Sequence, residues 1–505
     1  MAFIDDPFGE LSLKPLSHQK LGMPPDEQDA VREWLIKHGV VRPNSKDWGA
    51  FISKAPGKLV GTYAIGDIAR TRRLFEFYKD RLEKRGLWEA YERERRLMPV
   101  IYDMEKRGVN VDGVKLANDT DAYYMAMENL DDKIRDILGP TADPDNDASL
   151  ADLIEASCLS DEGFLSTPTG RRSVAKDSLI QACGNKTLLG HLLVRNSLAT
   201  CLRTFMQPWL VQYKAHGRLF IRWNQVRNYS DTGARTGRLS SSPNLQNIPV
   251  EWDKLKAQCD KIGYVIEEHL GLPMPQVRSY IIPDPGYAFI GRDYSAQEMK
   301  LLAHFTNGAL LAKLNENPGM DIHQIAAGIA GITRPVAKTL GFAVLYGAGV
   351  GRVAETLGKS VAYASQVKSQ YLKALPEIKD FQAELSQIGK TNRFTTTLGG
   401  RQYYCQAPAV VAGKIRTFEY KLPNYKIQGS AADQTKQAMY DFHRTTRTGQ
   451  LVLSVHDQLV AQAPIEDVEY EREVLRISVN GSFQSVLKYE VRSDEFVGYN
   501  FAQLK

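Results

Sequence analysis

The chain has 505 residues, too many for one ordinary core, so two or more domains are expected. Hydrophobic residues make up 43% and charged residues 24%, the balance of a soluble globular protein, and the net charge of +5 suits an anionic partner without demanding one. The acidic start "MAFIDDPFGE" has no apolar h-region, so no signal peptide is expected, and no apolar run is long enough to span a bilayer.

Residues 1 to about 85 mix Pro/Gly-rich turns with the helical pattern of "DEQDAVREWLIKHG". The segment "WEAYERERRLMPVIYDMEKRG" predicts a helix with Leu97, Val100, Ile101 and Met104 on one face, stopped by Gly108. Residues 113 to about 215 look mostly helical, with "PTADPDND" and "TPTGRR" as turn-rich breaks. From about 217, short strand-like runs ("RLFIRW", "YAFIGRDY", "LVLSV", "LVAQA") alternate with helices, while about 320 to 420 is helical again. This predicts a sheet domain carrying a helical insertion. The five cysteines (Cys158, Cys183, Cys201, Cys259, Cys405) are odd in number, far apart and without metal-ligand spacing, and read as reduced thiols of a cytosolic protein.

Four stretches carry chemistry. In "GYAFIGRDYSAQEMKLLAHF", Tyr287 to Ile290 predict a strand, with Asp293 just past its end and a helix opening at once. Asp293 there reads equally as a cap or a metal ligand, and the spacing of Ser295 and Glu298 is that of a capping box. In "SVHDQLV", apolar runs flank His456 and Asp457, which predicts a hairpin holding both at its tip. A lone Asp in a turn is usually only a turn residue. Two carboxylates on neighbouring strand ends, however, could hold two Mg²⁺ ions, which clamp the attacking and leaving oxygens of a phosphoryl transfer.

In "TRPVAKTLGFAVLYGAG", Thr333 is a plausible N-cap, Pro335 falls in the first turn, and Gly347 and Gly349 end the helix. Arg334, Lys338, Phe342 and Tyr346 recur every fourth residue and share one stripe. The stripe reads as an ordinary half-exposed face, or as cations for a triphosphate followed by aromatics for a base. "DTGARTGRLSSSPNLQNIP" reads as a polar surface loop, or as donors following a nucleic-acid backbone and minor groove; "NYKIQGSAADQTKQAM" offers Asn424 and Gln428 at helical spacing for the same task.

These stretches, in this order, resemble DNA polymerase family A, the group of bacterial DNA polymerase I and several phage replicases. "TGRLSSSPNLQNIP", "DYSAQE", "R…K…F…YG" and "VHDQ" carry the resemblance, supported by "DIHQIAA", "TLGGRQ" and "RRLMPVIYDMEKRGVNVD". It implies an α+β right-hand fold: an incomplete 3′→5′ exonuclease-like remnant over 1–85, connecting helix and thumb over 86–216, palm over 217–320 and 421–505, and fingers over 321–420. It implies that Asp293, Asp457 and the Tyr294 carbonyl bind two Mg²⁺, for which Mn²⁺ can substitute. Arg334, Lys338 and His323 would contact the triphosphate of a dNTP, with Lys338 donating a proton to pyrophosphate. Phe342 and Tyr346 would line the sugar and base pocket, and Glu298 would be the steric gate against a ribose 2′-OH. Arg238, Asn244, Gln246, Asn424 and Gln428 would read primer–template DNA, with His456 beside the primer terminus.

The implied activity is template-dependent DNA synthesis in a cytoplasm, a host's if the chain is phage-encoded, with no membrane partner. A processivity factor or a separate exonuclease polypeptide stays open as a further partner. Rival readings are a single-subunit RNA polymerase, against which Glu298 and "DYSAQE" argue, and a catalytically weakened primer–template binding protein. The second arises from Gln458, which stands where the family usually has Glu. Ala296 and Tyr420 also depart from the family's usual Gln and Arg, and "VEWDKLKAQCDKIGYVIEEHLGLPMP" is longer than the usual connection. "YAIGD" gives Tyr63 and Asp67 in the closing Tyr-x-x-x-Asp pattern of the family's exonuclease, but no Asp-x-Glu pair precedes it, so no proofreading is expected.

Overall fold

The computed structural model describes residues 1–167, 170–227, 233–250, 252–391, 394–411 and 413–504. The expected turn at Pro168 and Thr169, the first residues of the loop motif (Asp231 and Thr232) and Glu251 lie outside the described residues.

All elements of the N-terminal 85 residues are helices, joined by turns, with no strand before Asn110. Their longest helix, α1 (Gly57–Lys84), is followed by α2 (Trp88–Arg107). As the apolar spacing predicts, Leu97, Val100, Ile101 and Met104 of α2 are buried, and Gly108 at φ 67° ends it. Helix α3 (Gly113–Leu138) and helix α4 (Lys186–Thr200) form much of the next region. The long connection that the sequence left unexplained is docked on these helices. Cys259 and Tyr264 are buried, the Tyr264 hydroxyl lies 2.8 Å from His191 Nδ1, and Lys133 donates to the His269 carbonyl at 2.7 Å. Gly190 permits this: a Cβ there would lie 2.0 Å from the Tyr264 ring.

The central sheet has four antiparallel strands, β1 (Tyr287–Asp293), β2 (Gln450–Val455), β3 (Gln458–Pro464) and β4 (Asp494–Gly498), in the order β2–β3–β1–β4. Strand β1 runs three residues beyond the expected end, so Asp293 is its last residue. Asp293 pairs with Gln458 on one side and Asp494 on the other. Central position explains the extension: both edges of β1 are hydrogen-bonded, so its residues from Ala288 to Arg292 are buried.

Between β1 and β2 the chain makes the helical insertion: α5 (Gln297–Thr306), α6 (Ile322–Ala330), α7 (Arg334–Leu345) and further helices as far as Thr391. The expected helical block is shorter than 320–420: two small hairpins, Phe394–Thr396 with Gln402–Tyr404 and Ala409–Val411 with Lys414–Arg416, complete it. Helix α8 (Leu422–Thr445) returns through the core, and α9 (Val468–Gly481) packs on α8 and on β1. The small residues Gly429, Ser430, Ala431 and Ala432 let α8 approach its neighbours closely.

A buried polar cluster ties these parts together. Glu94 of α2 accepts from Lys436 Nζ of α8 at 2.8 Å and from Arg401, while Arg401 Nε donates to Asp433 at 2.8 Å. Burial, offset by Glu94, draws the Lys436 ammonium down to about 8. Breaking one partner of such a group leaves a charge stranded in the interior.

Candidate active site

The hairpin β2–β3 turns in two residues, His456 and Asp457, with Val455 opposite Gln458. His456 takes φ 58°, the left-handed conformation that such tight turns require at a leading position. Flanking apolar residues fix the strands in the core, so the polar pair has only the tip to occupy.

On the neighbouring strand the chain does not pass directly into a helix. Ser295 and Ala296 adopt φ 49° and 58°, and α5 begins only at Gln297. The expected capping box is absent. Ser295 donates its N–H to Asp293 Oδ1 at 2.7 Å and its hydroxyl to Asp494, instead of capping α5. Glu298 is 6% exposed; its carboxylate accepts from Arg238 and, at 2.9 Å, from the Tyr346 hydroxyl. The left-handed pair rotates both side chains away from the helix N-terminus, so the sequence spacing misled. The phenol of Tyr346 is pushed up to about 12 by burial and by Glu298.

Asp293 and Asp457 lie together at the strand ends, where the Tyr294 N–H donates to the Asp457 carbonyl at 3.3 Å. Burial first, then the Asp457 charge, pushes the Asp293 carboxyl up to about 6. Burial likewise raises Asp457. Two carboxylates in one desolvated place resist ionising together, and a hard cation relieves both costs. The donor set is all oxygen, as Mg²⁺ or Mn²⁺ prefers, so the residues fit such an ion. The Tyr294 carbonyl, next in the chain to Asp293, accepts from Lys300 Nζ at 2.9 Å, which leaves one of its two lone pairs for a further partner. The Tyr294 side chain serves the fold, with its hydroxyl 2.7 Å from Ser482 Oγ in the core.

A cavity of about 680 Å³ opens from Asp457 toward helices α6 and α7. Arg334, Lys338 and Phe342 of α7 and His323 of α6 line it, so three of the four residues of the expected stripe face one space; Tyr346, just past the end of α7, is not in its lining. Helix α7 begins after Thr333, which makes no side-chain cap, and Pro335 lies in its first turn. The Phe342 and Tyr346 rings are 6.1 Å apart and nearly parallel. Arg334 is held by Asp321, whose other oxygen accepts from the His323 N–H at 2.7 Å. His323 is 3% exposed, and its Nδ1 has no partner among the described residues.

A smaller recess beside the hairpin is lined by Arg238, Gln246 and His456. Gln246 Nε2 donates to the Ser454 carbonyl at 3.0 Å, fastening the loop to β2, and Asn244 Oδ1 accepts from the Gln246 N–H at 3.0 Å. On α8, Gln428 Nε2 lies 3.3 Å from the Tyr346 hydroxyl, while the buried Asn424 Oδ1 has no partner among the described residues. The structure thus brings Asp457, Arg334, Lys338, Phe342 and His323 around one cavity. Asp293 lies beside Asp457 on the paired strand, Glu298 and Tyr346 are hydrogen-bonded to each other outside that lining, and Arg238, Gln246 and His456 line the separate recess. Sequence reasoning missed Lys300, Asp321 and Asp494. Asp321 in "DIHQ" was within reach as an N-cap signal, whereas Asp494 lies on a strand with no apolar alternation to reveal it.

The fold is that of a polymerase domain. The POL domain of Pol1 from M. smegmatis, solved in complex with DNA primer-template and dNTP, superposes with a TM-score of 0.73 at 20% identity, covering 100% of this chain and 81% of that one. The family model described as DNA polymerase family A matches residues 115–503, and the chain belongs to that family. Among its relatives, DNA polymerase I of Chloroflexus aurantiacus is 27% identical over 497 residues, which is 94% of this chain and 49% of that protein. Thermostable DNA polymerase I of Thermus filiformis is 29% identical over 442 residues, 83% of this chain and 49% of that protein. The chain therefore spans about half the length of the curated relatives it matches. No helix among the described residues is long and apolar enough to cross a membrane.

Proposed function

We propose that this chain is a template-dependent DNA polymerase that extends a primer with dNTPs and releases pyrophosphate. The observation that carries this reading is the single cavity in which Asp457, His323, Arg334, Lys338 and Phe342 meet. The hand divides as the sequence suggests, with thumb over 86–216, palm over 217–320 and 421–505, and fingers over 321–420.

In this reading Arg334 and Lys338 hold the triphosphate, the stacked Phe342 and Tyr346 support sugar and base, and the unpartnered His323 Nδ1 meets a phosphate oxygen. Lys338 carries the proton that pyrophosphate takes as it leaves. Glu298, pinned between Arg238 and Tyr346, fills the space a ribose 2′-OH needs. Asp293, Asp457 and the Tyr294 carbonyl would hold two Mg²⁺ or Mn²⁺ ions, which when bound stabilise the attacking and leaving oxygens. Asn424, whose buried oxygen lacks a partner, and Arg238, Asn244, Gln246, Gln428 and His456 lie where primer–template would be checked by shape. The chain does not proofread, since Asp67 is the one acid of the exonuclease pattern that the N-terminal region offers.

The test is primer extension by the purified chain with Mg²⁺, with dNTPs and rNTPs in parallel. Extension with dNTPs is expected. Preference for rNTPs would favour an RNA polymerase, and silence with both substrates in Mg²⁺ and Mn²⁺ would leave only a binding protein.

A further inference from the structure

Asp293 has two strand partners at one level of the sheet, Gln458 and Asp494. Residues paired directly across adjacent strands point to the same face. The two partners are used differently. Gln458 is 7% exposed and donates its amide to the Leu504 carbonyl at 3.2 Å, so its side chain is committed to the C-terminal segment. Asp494 is exposed and lines the same cavity as Asp457, His323 and Lys338.

Ser295 joins the two aspartates. Its N–H donates to Asp293 and its hydroxyl to Asp494, an arrangement its left-handed backbone makes possible. His323 is buried in the wall of the same cavity with an Nδ1 that has no partner among the described residues, a group that a ligand in the cavity would satisfy.

We infer that Asp494 is a third anionic member of the divalent-cation site, acting on the hydrated ion from its outer side. This rests on the reading of Asp293 and Asp457 as the ligands. Among the described residues no three acidic, histidine or cysteine side chains converge on one point at ligand distance. Asp494 therefore acts through water and through Ser295, as a positioning residue. Mg²⁺ and Mn²⁺ sites of this kind suit such a role, because Mg²⁺ gives up its water reluctantly and keeps several molecules when bound. The site then holds three negative charges against a dication and Lys300, although Gln458 supplies none.

The experiment is Mn²⁺ binding to the full chain without DNA or dNTP, read from loss of the free-ion EPR signal. Wild type is compared with Asp457→Asn, Asp494→Asn, Asp494→Glu and Glu495→Gln. Glu495 is the next residue of β4 and pairs with Arg292 and Arg472, so it controls for surface charge. Melting curves without metal show that each variant is folded. Asp494→Asn is expected to weaken Mn²⁺ binding about 3- to 10-fold, a change of the size that ligand charge produces in such sites, with Asp494→Glu largely restoring it. Glu495→Gln should bind as wild type. If Asp457→Asn weakens binding but Asp494→Asn does not, or if Glu495→Gln weakens it equally, the inference is overturned and the polymerase reading stands. If Asp457→Asn itself binds Mn²⁺ as wild type does, the assignment of the cation site fails with it.

Discussion

The Tyr346 hydroxyl donates to Glu298 Oε2 at 2.9 Å, while Arg238 holds the other oxygen of the same carboxylate. Glu298 is thus fixed by two groups from distant parts of the chain and by no helix cap. Removing it should widen the sugar pocket and release both partners. Glu298→Ala is expected to raise the rNTP/dNTP incorporation ratio about tenfold or more, equivalent to ~1.4 kcal/mol of discrimination. Tyr346→Phe keeps the ring and loses one hydrogen bond, so its effect should be smaller, about 0.5–1.5 kcal/mol. An unchanged ratio in single-nucleotide incorporation with Glu298→Ala would remove the gate assignment.

Asp293→Ala and Asp457→Ala should each cut primer extension by on the order of 10³-fold or more, because each removes one of the two carboxylates proposed to hold the metal ions. Primer–template affinity, measured by fluorescence anisotropy, should change little, since phosphate and groove contacts supply it. Near wild-type extension by either variant would contradict the two-carboxylate assignment.

Much of this site was legible in the chain because its signals are local. The hairpin at His456 and Asp457 follows from apolar runs around a two-residue break, and the α7 stripe follows from fourfold spacing. What could not be read depends on long-range register. Asp494 meets Asp293 only because β4 pairs with β1 across two hundred residues of intervening chain. Ser295 and Glu298 matched a capping pattern, but two left-handed residues, which no local rule foresaw in "YSAQE", turned them elsewhere. The buried Glu94 likewise sat on an apparently charged helix, and only its fold partners Arg401 and Lys436 explain it.

Gln458→Glu should not improve the enzyme. The amide donates to the Leu504 carbonyl in a nearly closed site, and a carboxylate there offers no donor. The substitution should cost about 1–3 kcal/mol of stability, the penalty of an unpaired buried group, and add repulsion toward Asp293 when no metal is present. Thermal melting with and without Mg²⁺ checks this. A more stable variant in metal-free buffer would show that the side chain reorients freely.

The contact between the 251–275 connection and α4 should weaken in mild acid. Burial, then His269 and Lys133, draws the His191 imidazole down from 6.5 to about 4. Its folded value lies below the unfolded one, so the unfolded chain binds the proton first as pH falls. The contribution is intact above about 6.5 and is lost as pH falls through about 4, amounting to ~3 kcal/mol in full. The groups facing His191 are the Tyr264 hydroxyl, His269 and Lys133. Melting midpoints from pH 7 to 4 should fall less steeply in His191→Gln. Parallel slopes would mean that this imidazole is already exposed in the native state.

The last expectation concerns Asp67, on α1 with Tyr63 one turn earlier. Its carboxylate is paired with Lys14, whose ammonium also lies 4.4 Å from the centre of the Tyr63 ring. The Lys14 ammonium therefore already pairs with the one carboxylate that the exonuclease-like pattern supplies. Two-metal hydrolysis needs several carboxylates converging from separate elements, and one neutralised aspartate cannot hold two ions. A primer with a mismatched 3′ end, incubated with Mg²⁺ and no dNTP, should therefore keep its length. Lys14→Ala should not create excision either; it should loosen the N-terminal helices, by about 1 kcal/mol or less for a partly exposed pair. Shortening of the primer that survives Asp457→Ala but disappears in Asp67→Ala would show a working nuclease site in this region. Excision that appears only after Lys14→Ala would show instead that the lysine had been holding such a site shut.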